Sequence, residues 1–253
     1  MKFIFRLSAF SSLLFFISFC ASAQFMADVE FDIIKTGYNK IQVSGTEGTR
    51  FNVNVVDGEN GNFDNKASFA YRLRAGYRFN NRHNVFGLFA PLKISYNGNF
   101  DKPTRFYEEN FLPLVDTKVN YQFNSYRLTY RYDFVVTDKV RLGAGLTGKI
   151  RDAYIEVEQN GLSSKKTDLG IVPLINIYAS VNATDKIGFL LEGDGLASPQ
   201  GRAFDFELAA FYRIAEDTNL RFGYRILEGG SDIDEVYNFT LVNYGLMGFS
   251  YNF

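Results

Sequence analysis

Cysteine and histidine each occur once in this 253-residue chain, and tryptophan not at all. The one cysteine, Cys20, belongs to the N-terminal segment, so residues 24–253 contain none. That stretch therefore has no disulfide, no cysteine nucleophile and no cysteine-held metal. With His83 as the single imidazole, Ser/His and Cys/His catalysis lack parts. Charge of one sign is missing too. Lys and Arg total 27 against 28 Asp and Glu, which gives no polyanion-binding character at chain level. Beyond residue 24, no apolar run is long enough to cross a bilayer as a helix. Nucleotide loops, zinc spacings, EF-hands and nucleic-acid motifs are all absent, and Leu142-Gly143-Ala144-Gly145-Leu146 only mimics a phosphate loop. What is abundant is aromatic side chain, at 17% of residues.

The first 23 residues read as a cleaved signal peptide. Lys2 and Arg6 give a positive start, Leu7 to Phe19 is apolar apart from serines, and Ala21-Ser22-Ala23 offers a small-residue cleavage site. The alternative, lipidation at Cys20, meets bulky Phe19 where a small residue is wanted. Residues 24–253 then form a single domain, with no Pro/Ser linker inside it.

Period two dominates that domain. Phe69, Tyr71, Leu73, Ala75, Tyr77 and Phe79 share one face, opposite Arg72, Arg74, Gly76 and Arg78. The pattern returns with Tyr126, Leu128, Tyr130, Tyr132 and Phe134 against Arg127, Thr129, Arg131 and Asp133, and again near residues 140–147, 204–213 and 220–226. A helix would scatter these residues; a strand collects them. Tight turns are expected at Asn80-Asn81-Arg82, Thr137-Asp138-Lys139, Thr184-Asp185-Lys186 and Glu216-Asp217-Thr218. Longer polar links are expected over about 37–67, 101–117, 159–168, 197–202 and 228–238, with Ser198-Pro199-Gln200-Gly201-Arg202 as a tight outer turn. Four turns and five links give ten strands, with eight and twelve as the alternatives, at about 25–36, 68–80, 84–99, 118–136, 139–158, 169–183, 187–196, 203–215, 219–228 and 239–253. The apolar parity reverses near Asn124-Ser125 and Asp152-Ala153, where bulges are the simplest expectation.

The last strand has Met247, Phe249, Tyr251 and Phe253 on one side and Gly248, Ser250 and Asn252 on the other. With the signal segment and the alternation of short turns and long links, it resembles the small bacterial outer-membrane β-barrel proteins. The resemblance covers essentially all of residues 24–253. It implies an all-β, closed antiparallel up-and-down transmembrane barrel in the outer membrane, in contact with lipid and monomeric by default. It also implies that Phe249, Tyr251 and Phe253 serve as the signal read by the barrel-assembly machinery.

On the inward face, period two places Arg72, Arg74, Arg78, Lys93, Arg127, Arg131, Arg141, Lys149, Arg151, Arg213, Arg221 and Arg225. The acids are Asp28, Glu30, Asp32, Asp133, Glu192, Asp194, Asp205 and Glu207. One reading is a salt-bridge network that fills a narrow lumen, giving a structural or surface-interaction protein. The other is a narrow channel for small solutes, anionic or apolar, with the excess of bases leaning it toward anions. A barrel enzyme is a third. Barrel enzymes of the outer membrane rely on a histidine near the outer mouth, whereas His83 is expected at a turn on the opposite end. The carboxylate pairs Glu192/Asp194 and Asp205/Glu207 share their lumen with arginines, which favours the ionised state. No catalytic residue, cofactor or metal is therefore expected. The acids of 228–238 lie near glycines but lack the spacing of a calcium loop. Phe106-Tyr107 and Phe111-Leu112-Pro113-Leu114 are unusually apolar for an outer link, and either pack locally or fold over the mouth.

Overall fold

The structure, a computed structural model, describes residues 24–53 and 60–253; the expected signal peptide 1–23 lies outside the described residues. The strands are β1 (Gln24–Val43), β2 (Phe51–Asn52), β3 (Asn62–Phe63), β4 (Ser68–Phe79), β5 (His83–Ala90), β6 (Lys93–Asn99), β7 (Thr104–Phe106), β8 (Glu109–Phe111), β9 (Thr117–Val136), β10 (Val140–Gln159), β11 (Leu162–Asn182), β12 (Ile187–Ser198), β13 (Gly201–Ala215), β14 (Thr218–Ile233) and β15 (Val236–Asn252). Each long strand pairs antiparallel with the next, and β15 returns to β1 from Met26 opposite Asn252 to Val43 opposite Val236. The seam closes along the whole strand, so no edge is left open to lipid.

Ten strands make the wall, because β5 and β6 are one strand interrupted at Pro91-Leu92. Ala90 faces Ser125 and Lys93 faces Gln122 of β9 in unbroken register. Proline offers no N–H to the ladder, and the Leu92 carbonyl still accepts from Phe123 N at 2.9 Å. The four expected turns all stand at the end that holds both termini.

Three of the five expected outer links are not loops. Residues 159–168, 197–202 and 228–238 mostly continue their strands and reverse at Asn160-Gly161, Pro199-Gln200 and Asp234-Glu235. Asn160 (φ 49°) and Gly161 (φ 83°) take the two positive φ angles that a tight hairpin of this twist requires. All of these strands but β12 are much longer than the roughly 9–11 residues that cross a membrane, so their outer ends stand above it.

The expected bulges near Asn124 and Asp152 are also absent. β9 and β10 pair without a shift through Arg151–Ser125, Asp152–Asn124 and Ala153–Phe123. What inverts is the lumen, not the strand. In the inner half it is lined by charge, and in the outer half by apolar side chains, so Tyr121, Ile155 and Val157 face inward with the same parity as Arg127 and Lys149. The register shifts fall elsewhere, at Gly37 in β1, between Leu142 and Gly143, and between Arg213 and Ala215.

The outer wall of the inner half is apolar, with Leu128 64%, Leu146 70% and Phe222 53% exposed. Apolar outside and charged inside is the arrangement for a lipid solvent. At the turn end Phe25, Tyr77, Tyr251 and Phe253 form an aromatic collar, with rings 5.1 Å apart for Phe25–Phe253. His83 belongs to this collar, its Nδ1 2.8 Å from Tyr130 Oη.

At the other end, segments 44–53, 60–67 and 100–116 pack over part of the mouth. Phe51, Phe63, Phe100, Phe106 and Phe111 are buried there, with Phe51–Phe100 and Phe63–Phe100 ring centroids 5.1 and 5.4 Å apart. They rest on Ile94, Tyr96, Val119 and Val157 of the wall. The apolar link thus folds over the mouth as the small hairpin β7–β8, leaving Leu112 and Leu114 exposed.

Candidate functional site

Alternation points the charged residues of every strand into the same narrow space, and strand stagger decides which of them meet. Arg225 on β14 donates to Glu30 on β1 (2.9 Å), to Asp205 on β13 (2.8 Å) and to Glu207 (2.5 Å). Four residues nearer the terminal end of β14, Arg221 reaches Glu30 and Glu207, both at 2.6 Å, and also Asp28. From the facing wall Arg72 reaches Asp205 at 2.9 Å, and Arg127 reaches Asp194 at 2.7 Å and Asp205 at 2.5 Å. Arg74 and Arg131 both hold Glu192, at 2.7 and 3.0 Å. Arg131 and Arg141 share Asp133 at 2.9 and 2.8 Å. Asp194 also accepts from Thr147 Oγ1 (2.7 Å) and Asn176 Nδ2 (3.0 Å).

The pairs Arg72–Asp205, Arg74–Glu192, Arg127–Asp194, Arg127–Asp205 and Arg131–Glu192 cross the lumen and join β4 and β9 to β12 and β13, and nearly all the side chains of the network are buried. Small residues make room for them. A Cβ on Gly248 would lie 2.6 Å from the Arg221 guanidinium, and one on Gly143 would lie 2.3 Å from Asp133 Oδ1.

Of the twenty charged residues placed inward from the sequence, fourteen sit in this network: Arg72, Arg74, Arg127, Arg131, Arg141, Arg221, Arg225 and every acid but Asp32. Arg78 does not: it faces inward but bonds Asn84 (3.0 Å) and Gln24 (3.4 Å) instead of an acid. Lys93 is exposed on the other face of its strand, beside Tyr154. The excess of bases counted along the inward face does not gather here, since acids and arginines alternate throughout. The carboxylates Glu192, Asp194, Asp205 and Glu207 are each held by guanidinium. Asp32 is the exception, buried with neither carboxylate oxygen bonded.

The network separates two spaces. The inner vestibule, about 540 Å³, is bordered by Arg78, Lys139, Arg141, Arg213 and the turn residues Glu216 and Asp217. The outer one, about 570 Å³, lies between β9–β11 and β12–β15 beside the folded cap, and its lining is mostly apolar. Above the lipid belt, at the rim of this cavity, Glu228 accepts from Arg202 at 2.9 Å and from Tyr38 Oη at 2.6 Å. Burial and that carboxylate push the Tyr38 hydroxyl up to about 12. The acids of 228–238 disperse along the hairpin, with Glu235 3.2 Å from Lys166.

A family model described as "Outer membrane protein beta-barrel domain" matches residues 11–253. None of the curated proteins matches the sequence. Among solved structures, similarity extends to Ail of Yersinia pestis (13% identity, 90% of this chain and 99% of that one, TM-score 0.38). It extends also to the outer membrane protease OmpT of Escherichia coli (12%, 91% and 97%, TM-score 0.48). A third is the translocator domain of the autotransporter NalP from Neisseria meningitidis (15%, 97% of each chain, TM-score 0.42).

Proposed function

The chain belongs to the outer membrane protein β-barrel domain family, and on that premise we propose that it is a non-conducting barrel with a structural or surface-interaction role. The observation that carries this reading is the waist of the lumen, where arginines and carboxylates from opposite walls interlock between the two vestibules. Ions crossing there would have to break several buried, charge-assisted bonds at once, each costly to leave unpaired. With the passage closed, what remains available for function is the outer head: the cap and the long hairpins beside it. The chain is exported, cleaved before Gln24 and inserted as a monomer, with Phe249, Tyr251 and Phe253 read by the barrel-assembly machinery.

The purified protein in planar bilayers should show no steady unitary conductance. Reproducible anion-selective steps would overturn the closed reading in favour of a narrow channel, for which the two vestibules approaching the waist are the supporting feature. Enzymatic action has weaker support, because the lumen carboxylates other than Asp32 are engaged by arginine.

A further inference from the structure

The outer vestibule holds a buried amine that no described acid pairs with. Lys149, on β10, borders the floor of the cavity, is 2% exposed, and makes no hydrogen bond or salt bridge among the described residues. Its Nζ lies 4.4 Å from the Phe123 ring centroid. The other charged residues bordering the cavity are matched: Arg151 with Asp168, Lys166 with Glu235 and Arg202 with Glu228. Two residues from Lys149, on the same face of β10, the Nε of Arg151 is buried and bonded to nothing. Same-face neighbours on a strand stand about 7 Å apart, so one small anionic group can lie between the two. Around this point the cavity wall is aromatic and aliphatic, from Tyr121, Phe123, Ile155 and Leu227.

A buried ammonium without a counter-charge is costly, and an apolar cavity of about 570 Å³ is in the range of small-molecule sites. We propose that the outer vestibule is a binding site for a small amphipathic monoanion, with its carboxylate on Lys149 and Arg151 and its apolar body against Phe123 and Leu227. The anion supplies the missing charge, and the tail covers the aromatic wall. The site opens at the outer end, so it does not depend on whether the waist conducts.

Octanoate is the probe, titrated calorimetrically into the protein in lipid nanodiscs, with empty nanodiscs subtracted for partitioning. Saturable one-to-one binding is expected. It should be at least about tenfold tighter than for acetate, which has the head without the tail, and than for octanamide, which has the tail without the charge. Lys149→Met should weaken octanoate at least about tenfold, while Lys149→Arg keeps it within a few-fold. If Lys149→Met fails to give the compact heat-modifiable band, the octanamide comparison and Lys149→Arg still decide. No saturable binding, equal binding of octanamide, equal binding of acetate, or full binding by Lys149→Met would each overturn the proposal.

Discussion

Arg225 and Asp32 both point into the lumen, yet their removal should have opposite consequences. Arg225 is shared by Glu30, Asp205 and Glu207, so Arg225→Met leaves three buried carboxylates short of a donor. Breaking a buried ionic cluster from one side costs about 3–5 kcal/mol. The variant should lose its folded, heat-modifiable gel band at a clearly lower temperature than the parent. Asp32→Asn replaces a buried carboxyl whose oxygens find no hydrogen-bond donor, and should leave that temperature unchanged or raised. A loss in Asp32→Asn as large as in Arg225→Met would mean that the partners assigned here do not set the stability of the waist. The sequence showed that both residues face inward, since parity alone decides that. It did not show which of them has a partner, because that depends on the stagger between strands far apart in the chain. The same limit applies to Arg78, whose inward side chain bonds Asn84 and Gln24 rather than an acid. Lys93 was misread for a different reason: even-numbered Ile94 and Tyr96 face an apolar outer lumen, which leaves odd Lys93 outside.

Elements were legible where one face meets lipid and the other meets charge. All ten wall strands and all four turns at the terminal end could be read from such alternation. The outer ends were harder, because above the membrane both faces of a strand tolerate polar residues and alternation fades. Hence 159–168 looked like a loop, although Asn160-Gly161 is a strong hairpin signal in its own right. The reversed parity at Tyr121 and Ile155 imitates bulges in the sequence because the outer half of the lumen is apolar and the inner half charged. At the closing strand, Phe253 donates its N–H to Phe25 O at 2.8 Å and packs its ring on Phe25 and Tyr251. These contacts are few beside the seventeen paired positions from Met26–Asn252 to Val43–Val236. Deleting Phe253 should therefore barely alter the melting of barrel already folded, yet sharply lower the fraction that reaches the heat-modifiable form in cells. If assembly in cells is undiminished, the terminal residue is not a signal.

Across the whole molecule, the waist, the cap and the outer vestibule are separable because the wall does not depend on the cap. β9 pairs with β5, β6 and β10 over its length, and the hairpin β7–β8 pairs only with itself. Phe106 and Phe111, however, insert from that hairpin into the core of Phe51, Phe63 and Phe100. Replacing residues 104–111 with a short Gly/Ser linker should thus leave a closed, heat-modifiable barrel. The truncated cap would lose the packing of two fully buried phenylalanines, each worth about 3–5 kcal/mol in a core, and could not hold residues 44–53 in place. Limited proteolysis should then cut within 44–53 in the variant but not in the parent, while the strands of the wall stay intact. Octanoate affinity is expected to survive, since Lys149 and Arg151 stand on β10 outside the cap. A variant that no longer forms the barrel would show instead that the cap helps to build the wall, and the outer head would have to be read as one folding unit with the membrane domain.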